Sequence, residues 1–246
     1  MTRILVWDLP TRLFHWLLVA TVAIALGFAL VASEHSPAFQ VHMLAGLVAS
    51  FLVAARLVWG VVGTRYARFS SFLYGPGALV RYLIGTLRGD DERTPGHNPG
   101  AAWGIYALLL LVAAMTTTGV LQGRSEAFEE VHEVLAWTLV ATIGAHLVGV
   151  VWHALRHRED LVRAMVDGRK RGDAADAIPL ARPLVGLLFL ALTGGFAYLV
   201  VSGHDAARHQ VTLFGQTILL GEAEGGDEGG GSKGDDEDGE EEDDDD

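Results

Sequence analysis

Five apolar stretches of about 20 residues constrain this chain most, because a helix rising 1.5 Å per residue needs roughly that many to cross a bilayer core. They cover residues 13–32, 41–62, 101–121, 134–152 and 183–201. Hydrocarbon offers no hydrogen bonds to the backbone, and the runs lack the alternation of a barrel strand, so each is expected as a helix. The expected fold is an all-α integral membrane bundle. Cysteine is absent, which excludes disulfides, thiolate metal sites, iron–sulfur clusters and haem attached covalently through cysteines.

The formal charge of −12 describes two unlike parts of the chain. Residues 221–246 hold fifteen of the thirty acids and one of the eighteen bases, a local charge of −14, so the rest sums to +2. Lys and Arg set the orientation of a multi-pass protein. With the N-terminus in the cytoplasm, Arg3, Arg12, five arginines of 63–100 and seven bases of 153–182 lie inside. Arg124, Arg208 and Lys233 lie outside, and Arg56 falls within a span. This asymmetry puts the N-terminus in the cytoplasm and the acidic C-terminus on the opposite side of the membrane. The first apolar run is too long for a cleaved export signal, and it carries His15 and Trp16.

Between the second and third spans, Pro76 to Arg88 reads as a short amphipathic helix along the cytoplasmic headgroups. Residues 159–182 read as a basic cytoplasmic linker. The expected organisation is a core of 1–158, this linker, a fifth transmembrane helix over 183–203, and a periplasmic segment, 204–246. The run Val211 to Leu220 is too short to span and has no clear structure in sequence. The Gly/Asp/Glu tail after it cannot build a core and is expected to be disordered.

Ionisable groups at membrane depth are costly, so histidines within spans are informative. His15 stands about one and a half turns into the first helix, if Asp8 caps it and Pro10 lies in its first turn. His42 opens the second span on the opposite side. On the fourth, His132 lies near the outer end and His146 fourteen residues further in. Fourteen residues at 100° each leave the two rings about 40° apart on one face, about 21 Å apart along the axis. Depth then pairs His42 with His132 in the outer layer and His15 with His146 in the inner layer.

Two imidazoles converging from different helices suit a six-coordinate haem iron, each giving one nitrogen to the metal while the other donates to an acceptor. Small residues near the ligands, Gly46, Ala136, Gly144 and Gly149, leave room for a porphyrin. A zinc or proton-relay site in a transporter, or histidines that merely bond helix to helix, stays open on geometry alone.

Several motifs carry a resemblance. VWDLPTRLFHW (Val6 to Trp16), QVHMLAG around His42, RLVWGVVGTRYARF (Arg56 to Phe69), GHNPG (Gly96 to Gly100), and EVHEVLAW with IGAHLVGVVWH on the fourth span occur in family order. Over about residues 3–160 the chain resembles the bacterial cytochrome b561 family, which includes the cytochrome b subunits of nickel-iron hydrogenases. The resemblance implies a four-helix di-haem transmembrane bundle of the bacterial inner membrane, its acidic C-terminus then periplasmic, with two non-covalent b-type haems and His15, His42, His132 and His146 as axial ligands of the haem iron. It also implies electron transfer between a membrane quinone and a partner redox protein in a respiratory chain. The fifth span and acidic tail depart from the four-helix pattern, which leaves the partner in doubt: a basic periplasmic c-type cytochrome, or an oxidoreductase complex that this chain anchors. Lipid and quinone are the other expected partners, and nucleic acid is not expected.

Arg56, two turns from the inner end of its span, suits a haem propionate or a snorkelling role equally. His97 stands at the inner mouth of the third span, near any inner haem or quinone, but reads more readily as an exposed loop histidine. His153, seven residues past His146, shares its seam and offers an alternative partner for His15, although His146 is deeper and matches the motif. His153 and His157 read as a surface pair, and Thr116 to Thr118 as bonding their own helix backbone. No catalytic residue is read from the sequence.

Overall fold

The computed structural model describes residues 2–33, 36–90, 93–122 and 125–220. The acidic tail lies outside the described residues. Five long helices form the body: α1 (Leu9–Val31), α2 (Phe39–Val62), α4 (Pro99–Leu121), α5 (Glu126–His157) and α7 (Pro183–Ser202), with the shorter α3 (Pro76–Arg88) and α6 (Leu161–Asp167) between them. All five are long and apolar enough to cross a membrane. Their apolar surface faces outward as well as inward: Leu30, Leu110, Val148 and Leu184 are all exposed, as expected where lipid replaces water. The chain is an integral-membrane helical bundle.

The ends of the helices follow from local chemistry. Asp8 caps α1, its carboxylate accepting from the Thr11 amide at 2.9 Å with Pro10 in the first turn, so α1 starts at Leu9. Asn98 caps α4 through the Ala101 amide at 2.7 Å, again before a proline. At 32 residues α5 is about 48 Å long, more than a bilayer core requires, so the expected span 134–152 continues as helix at both ends.

Each end of the bundle carries a small sheet that local sequence patterns do not signal. At the proximal end, where α1 begins, β1 (Thr2–Leu5) pairs antiparallel with β2 (Arg169–Gly172), Thr2 opposite Gly172 and Leu5 opposite Arg169. The Gly168 carbonyl then accepts from the Val6 and Trp7 amides. Gly168 has φ +79°, and a Cβ there would come within 2.6 Å of the Trp7 carbonyl, so the turn requires glycine. Ile4, Val6, Trp7, Tyr66, Ala164 and Ile178 form a core beneath, and residues 159–182 are therefore folded back on the N-terminus.

At the distal end β3 (His204–Asp205), β4 (Gln210–Leu213) and β5 (Gln216–Leu219) form a meander. The β4–β5 turn uses Phe214 and Gly215, both at positive φ. Val211, Leu213 and Leu220 pack with Val200 of α7 against Leu47 of α2. The short apolar run at 211–220 is thus a hairpin seated on the distal start of α2.

Candidate functional site

Helices α1 and α2 pack together, α4 packs on α2, and α5 packs on α4, whereas α5 is not a close partner of α1 or α2. A gap therefore separates the α1–α2 pair from α5. His15 and His42 lie on one side of it, His132 and His146 on the other. In the middle layer the gap closes: Leu139, Ile143, Ala49, Val53, Leu109 and Val112 share one apolar cluster with Leu18 and Val22. Leu139 is seven residues from His132 and seven from His146, so this cluster divides the histidines into a distal and a proximal layer.

In the distal layer the rings of His42 and His132 meet edge to face, centroids 6.1 Å apart and planes at 84°. Two imidazoles on opposite sides of one metal, each bonded at about 2 Å, place their ring centres about 6 Å apart. Each δ nitrogen is engaged elsewhere. His42 Nδ1 lies 2.9 Å from the Ala25 carbonyl of α1, and His132 Nδ1 lies 3.0 Å from the Thr118 hydroxyl of α4. Both δ nitrogens thus have oxygen partners, which leaves the ε nitrogens for a metal. His42 is also stacked on Phe39. A Cβ added at Gly46, one turn along α2, would meet nothing within 4 Å, so open space adjoins this pair. The distal residues fit an iron porphyrin held by two imidazoles.

In the proximal layer His15 and His146 lie within electrostatic reach of each other. The His15 ring stands edge-on to Trp16 at 4.9 Å, and its Nδ1 is buried without a hydrogen-bond partner. An orphaned buried imidazole nitrogen is the kind of group a prosthetic group or water would satisfy. His153 is engaged elsewhere, its Nε2 lying 3.3 Å from Glu159 and its ring 4.4 Å from that of His157.

Arg56 is turned inward, 3% exposed, which removes the snorkelling alternative. One guanidinium nitrogen donates to the Ala67 carbonyl at 3.0 Å, and Nη1 is buried without a partner. The group lies 4.8 Å over the Phe69 ring and 5.9 Å from Phe14, next to His15.

Two expectations are corrected. His97 is not an exposed loop residue: its ring is wedged between Trp7 at 4.6 Å and Phe72 at 4.4 Å, with Nδ1 buried. Burial, then the nearby positive charges of Arg56 and Lys170, push its pKa down to about 3, so it is neutral at ordinary pH. His153 and His157 are not a surface pair either, being 7% and 8% exposed. They border a buried ionic cluster in which Lys170 of β2 stands 3.6 Å from Glu159 and donates to the Thr94 carbonyl at 3.0 Å. Burial alone would raise the Glu159 pKa, but the His153 hydrogen bond and the Lys170 charge outweigh it and hold the carboxylate below its ordinary value. Lys170 in turn is lowered by burial, against the opposing charge of Glu159.

Thr116 and Thr117 bond their own helix as expected; Thr118 does so as well, and also meets His132. That second contact was not legible in the sequence, since it depends on how α4 faces α5. Among the described residues no group of three or more His, Asp or Glu is arranged to hold a bare metal ion.

Residues 6–168 match the family model described as prokaryotic cytochrome b561. The chain is similar to the probable Ni/Fe-hydrogenase 1 B-type cytochrome subunit of Escherichia coli strain K12, 25% identical over 209 residues that cover 66% of this chain and 88% of that protein. It is similar also to the probable Ni/Fe-hydrogenase B-type cytochrome subunit of Rhodobacter capsulatus, 22% identical over 218 residues, covering 69% and 82%. No solved structure matches the chain.

Proposed function

The chain belongs to the prokaryotic cytochrome b561 family, a membrane b-type cytochrome of electron transfer, and from that premise we propose that it holds two b-type haems and links a membrane quinone to a partner redox protein. His42 with His132 would bind iron in the distal layer, and His15 with His146 in the proximal layer. When bound, the iron porphyrins supply one-electron chemistry, and two imidazoles per iron leave no open position for substrate. The cluster around Leu139 keeps water out of the middle layer and holds the two sites at separate depths. Arg56, with Nη1 unpartnered beside Phe14 and Phe69, would bind a propionate carboxylate of the proximal group. The single observation that carries this reading is the 6.1 Å edge-to-face approach of His42 on α2 and His132 on α5.

The Lys and Arg asymmetry supports a bacterial inner-membrane protein with the proximal end in the cytoplasm and the acidic C-terminus in the periplasm. Residues 1–158 form the cytochrome core in this reading, 159–182 the cytoplasmic segment that caps it, 183–203 the fifth span, and 204–246 the periplasmic segment. α3, with Val80, Leu83, Ile84 and Leu87 exposed, would lie along the cytoplasmic headgroups.

The names of the relatives support an oxidoreductase of the hydrogenase type as the partner. The charge of −14 over 221–246 supports a basic partner such as a soluble c-type cytochrome. A quinol added to the purified protein in lipid nanodiscs tests the quinone role. Appearance of reduced b-type absorption bands is expected; no reduction by quinol, together with no oxidation of the pre-reduced protein by quinone, would contradict it.

A further inference from the structure

The Thr118 hydroxyl meets two kinds of neighbour at once. Its oxygen lies 3.0 Å from the Ala114 carbonyl and 3.1 Å from the Met115 carbonyl of its own helix, and 3.0 Å from His132 Nδ1 on α5. A hydroxyl has one proton and two lone pairs. Carbonyls only accept, so when the proton goes to the α4 backbone the oxygen is free to accept from the imidazole. With Nε2 given to iron, His132 Nδ1 carries the hydrogen and the Thr118 oxygen accepts it.

The next residue, Gly119, brings the α4 backbone against the same ring: a Cβ there would stand 3.3 Å from Cε1 and 3.7 Å from Nδ1 of His132. The imidazole is held by a hydrogen bond on its edge and by the helix on its flank. Opposite, His42 Nδ1 meets the Ala25 backbone carbonyl at 2.9 Å. The distal pair is therefore asymmetric: the α1 main chain orients His42, whereas the Thr118 hydroxyl and the Met115 carbonyl of α4 orient His132.

We propose that Thr118 is a positioning residue for the distal haem, acting through His132 to set the ligand's orientation and its electron donation to iron, and hence the reduction potential at that end of the chain. The inference rests on the reading of His132 as an axial ligand. An acceptor on the outer N–H of a metal-bound imidazole makes the ring a stronger donor, which favours the oxidised metal. Removing the acceptor weakens donation and raises the potential.

The test is potentiometric titration of the full-length, haem-loaded protein, with electron paramagnetic resonance of the oxidised form, in Thr118→Val, Thr118→Ser and His132→Ala. His132→Ala should lose one haem and thereby identify the potential of the distal one. Thr118→Val keeps the side-chain shape without the oxygen; it should raise the distal midpoint, change the distal resonance, and leave the proximal midpoint in place. Thr118→Ser should restore both distal readouts. If His132→Ala retains both haems, the ligand reading fails, whatever Thr118 does. If His132→Ala loses one haem and Thr118→Val titrates as the wild type, the ligand reading stands and this inference falls. Should Thr118→Val assemble no haem, Thr118→Cys, with a poor acceptor of similar size, replaces it: a raised distal midpoint supports the proposal and an unchanged one overturns it.

Discussion

The Thr64 hydroxyl donates a 2.6 Å hydrogen bond to the Asp8 carboxylate, tying the start of α1 to the end of α2. Trp59 Nε1 donates to the same carboxylate at 3.2 and 3.3 Å, and the Thr11 amide completes the set from within α1. Asp8 is 1% exposed, so these donors have no water to fall back on. The carboxylate sets the register of α1 against α2, and so the height of His15.

Asp8→Ala removes a helix cap and strands buried donors from two neighbouring residues. Together these losses are expected to cost about 3 kcal/mol. Thermal unfolding in detergent should show a clearly lowered midpoint, with the proximal haem lost before the distal one. An unchanged midpoint would mean that the carboxylate does not hold the two helix ends together.

His97 predicts a pH dependence. Its folded pKa of about 3 lies below the ordinary 6.5, so the unfolded chain takes up this proton first as pH falls. Between about 6.5 and 3 the folded state therefore loses stability with falling pH. His97→Phe retains an aromatic ring between Trp7 and Phe72 and should flatten that slope of melting temperature against pH. An identical slope in the variant would assign it to other groups.

Glu159 contributes with the same sign at lower pH, because the folded pKa of its carboxylate is also depressed. Its stabilisation is present above the ordinary value of 4.5 and is lost as pH falls through the lowered folded value. Glu159→Gln leaves Lys170, whose side chain is 4% exposed, without its counter-charge. Breaking a buried pair from one side costs about 3–5 kcal/mol. Melting curves at neutral pH should show this loss, and limited proteolysis should open the proximal cap of β1 and β2 first; a variant as stable and as resistant as the wild type would contradict the buried pair.

Removing residues 221–246 takes the formal charge from −12 to +2, since the segment carries −14. Electrostatic steering of a basic partner weakens accordingly. Stopped-flow electron exchange with a c-type cytochrome should be slower in the truncated protein at low salt and nearly independent of ionic strength. A truncated protein with the same rate and salt dependence would remove the docking role of the tail.

The membrane helices were legible because their signals are local: apolar runs of sufficient length, with Asp8–Pro10 and Asn98–Pro99 marking two of the starts. The histidine layers were legible too, since chain direction and 1.5 Å per residue bring His42 to the height of His132. Other features needed partners far along the chain. Strand β1 exists only because residues 169–172 return to it, and four residues carry no strand signal by themselves. The His97 ring is enclosed between Trp7 and Phe72, which lie 90 and 25 positions away. Lys170 is buried by contacts to Glu159 and Thr94, so a stretch that reads as a polar linker contains a charge inside the fold.

The central claim is that two histidine pairs hold two haems, and the ratio of acid-extractable haem to purified chain measures it most directly. Full-length protein expressed with ample iron should yield two non-covalent b-type haems per polypeptide. A folded chain that yields one haem or none would contradict the account.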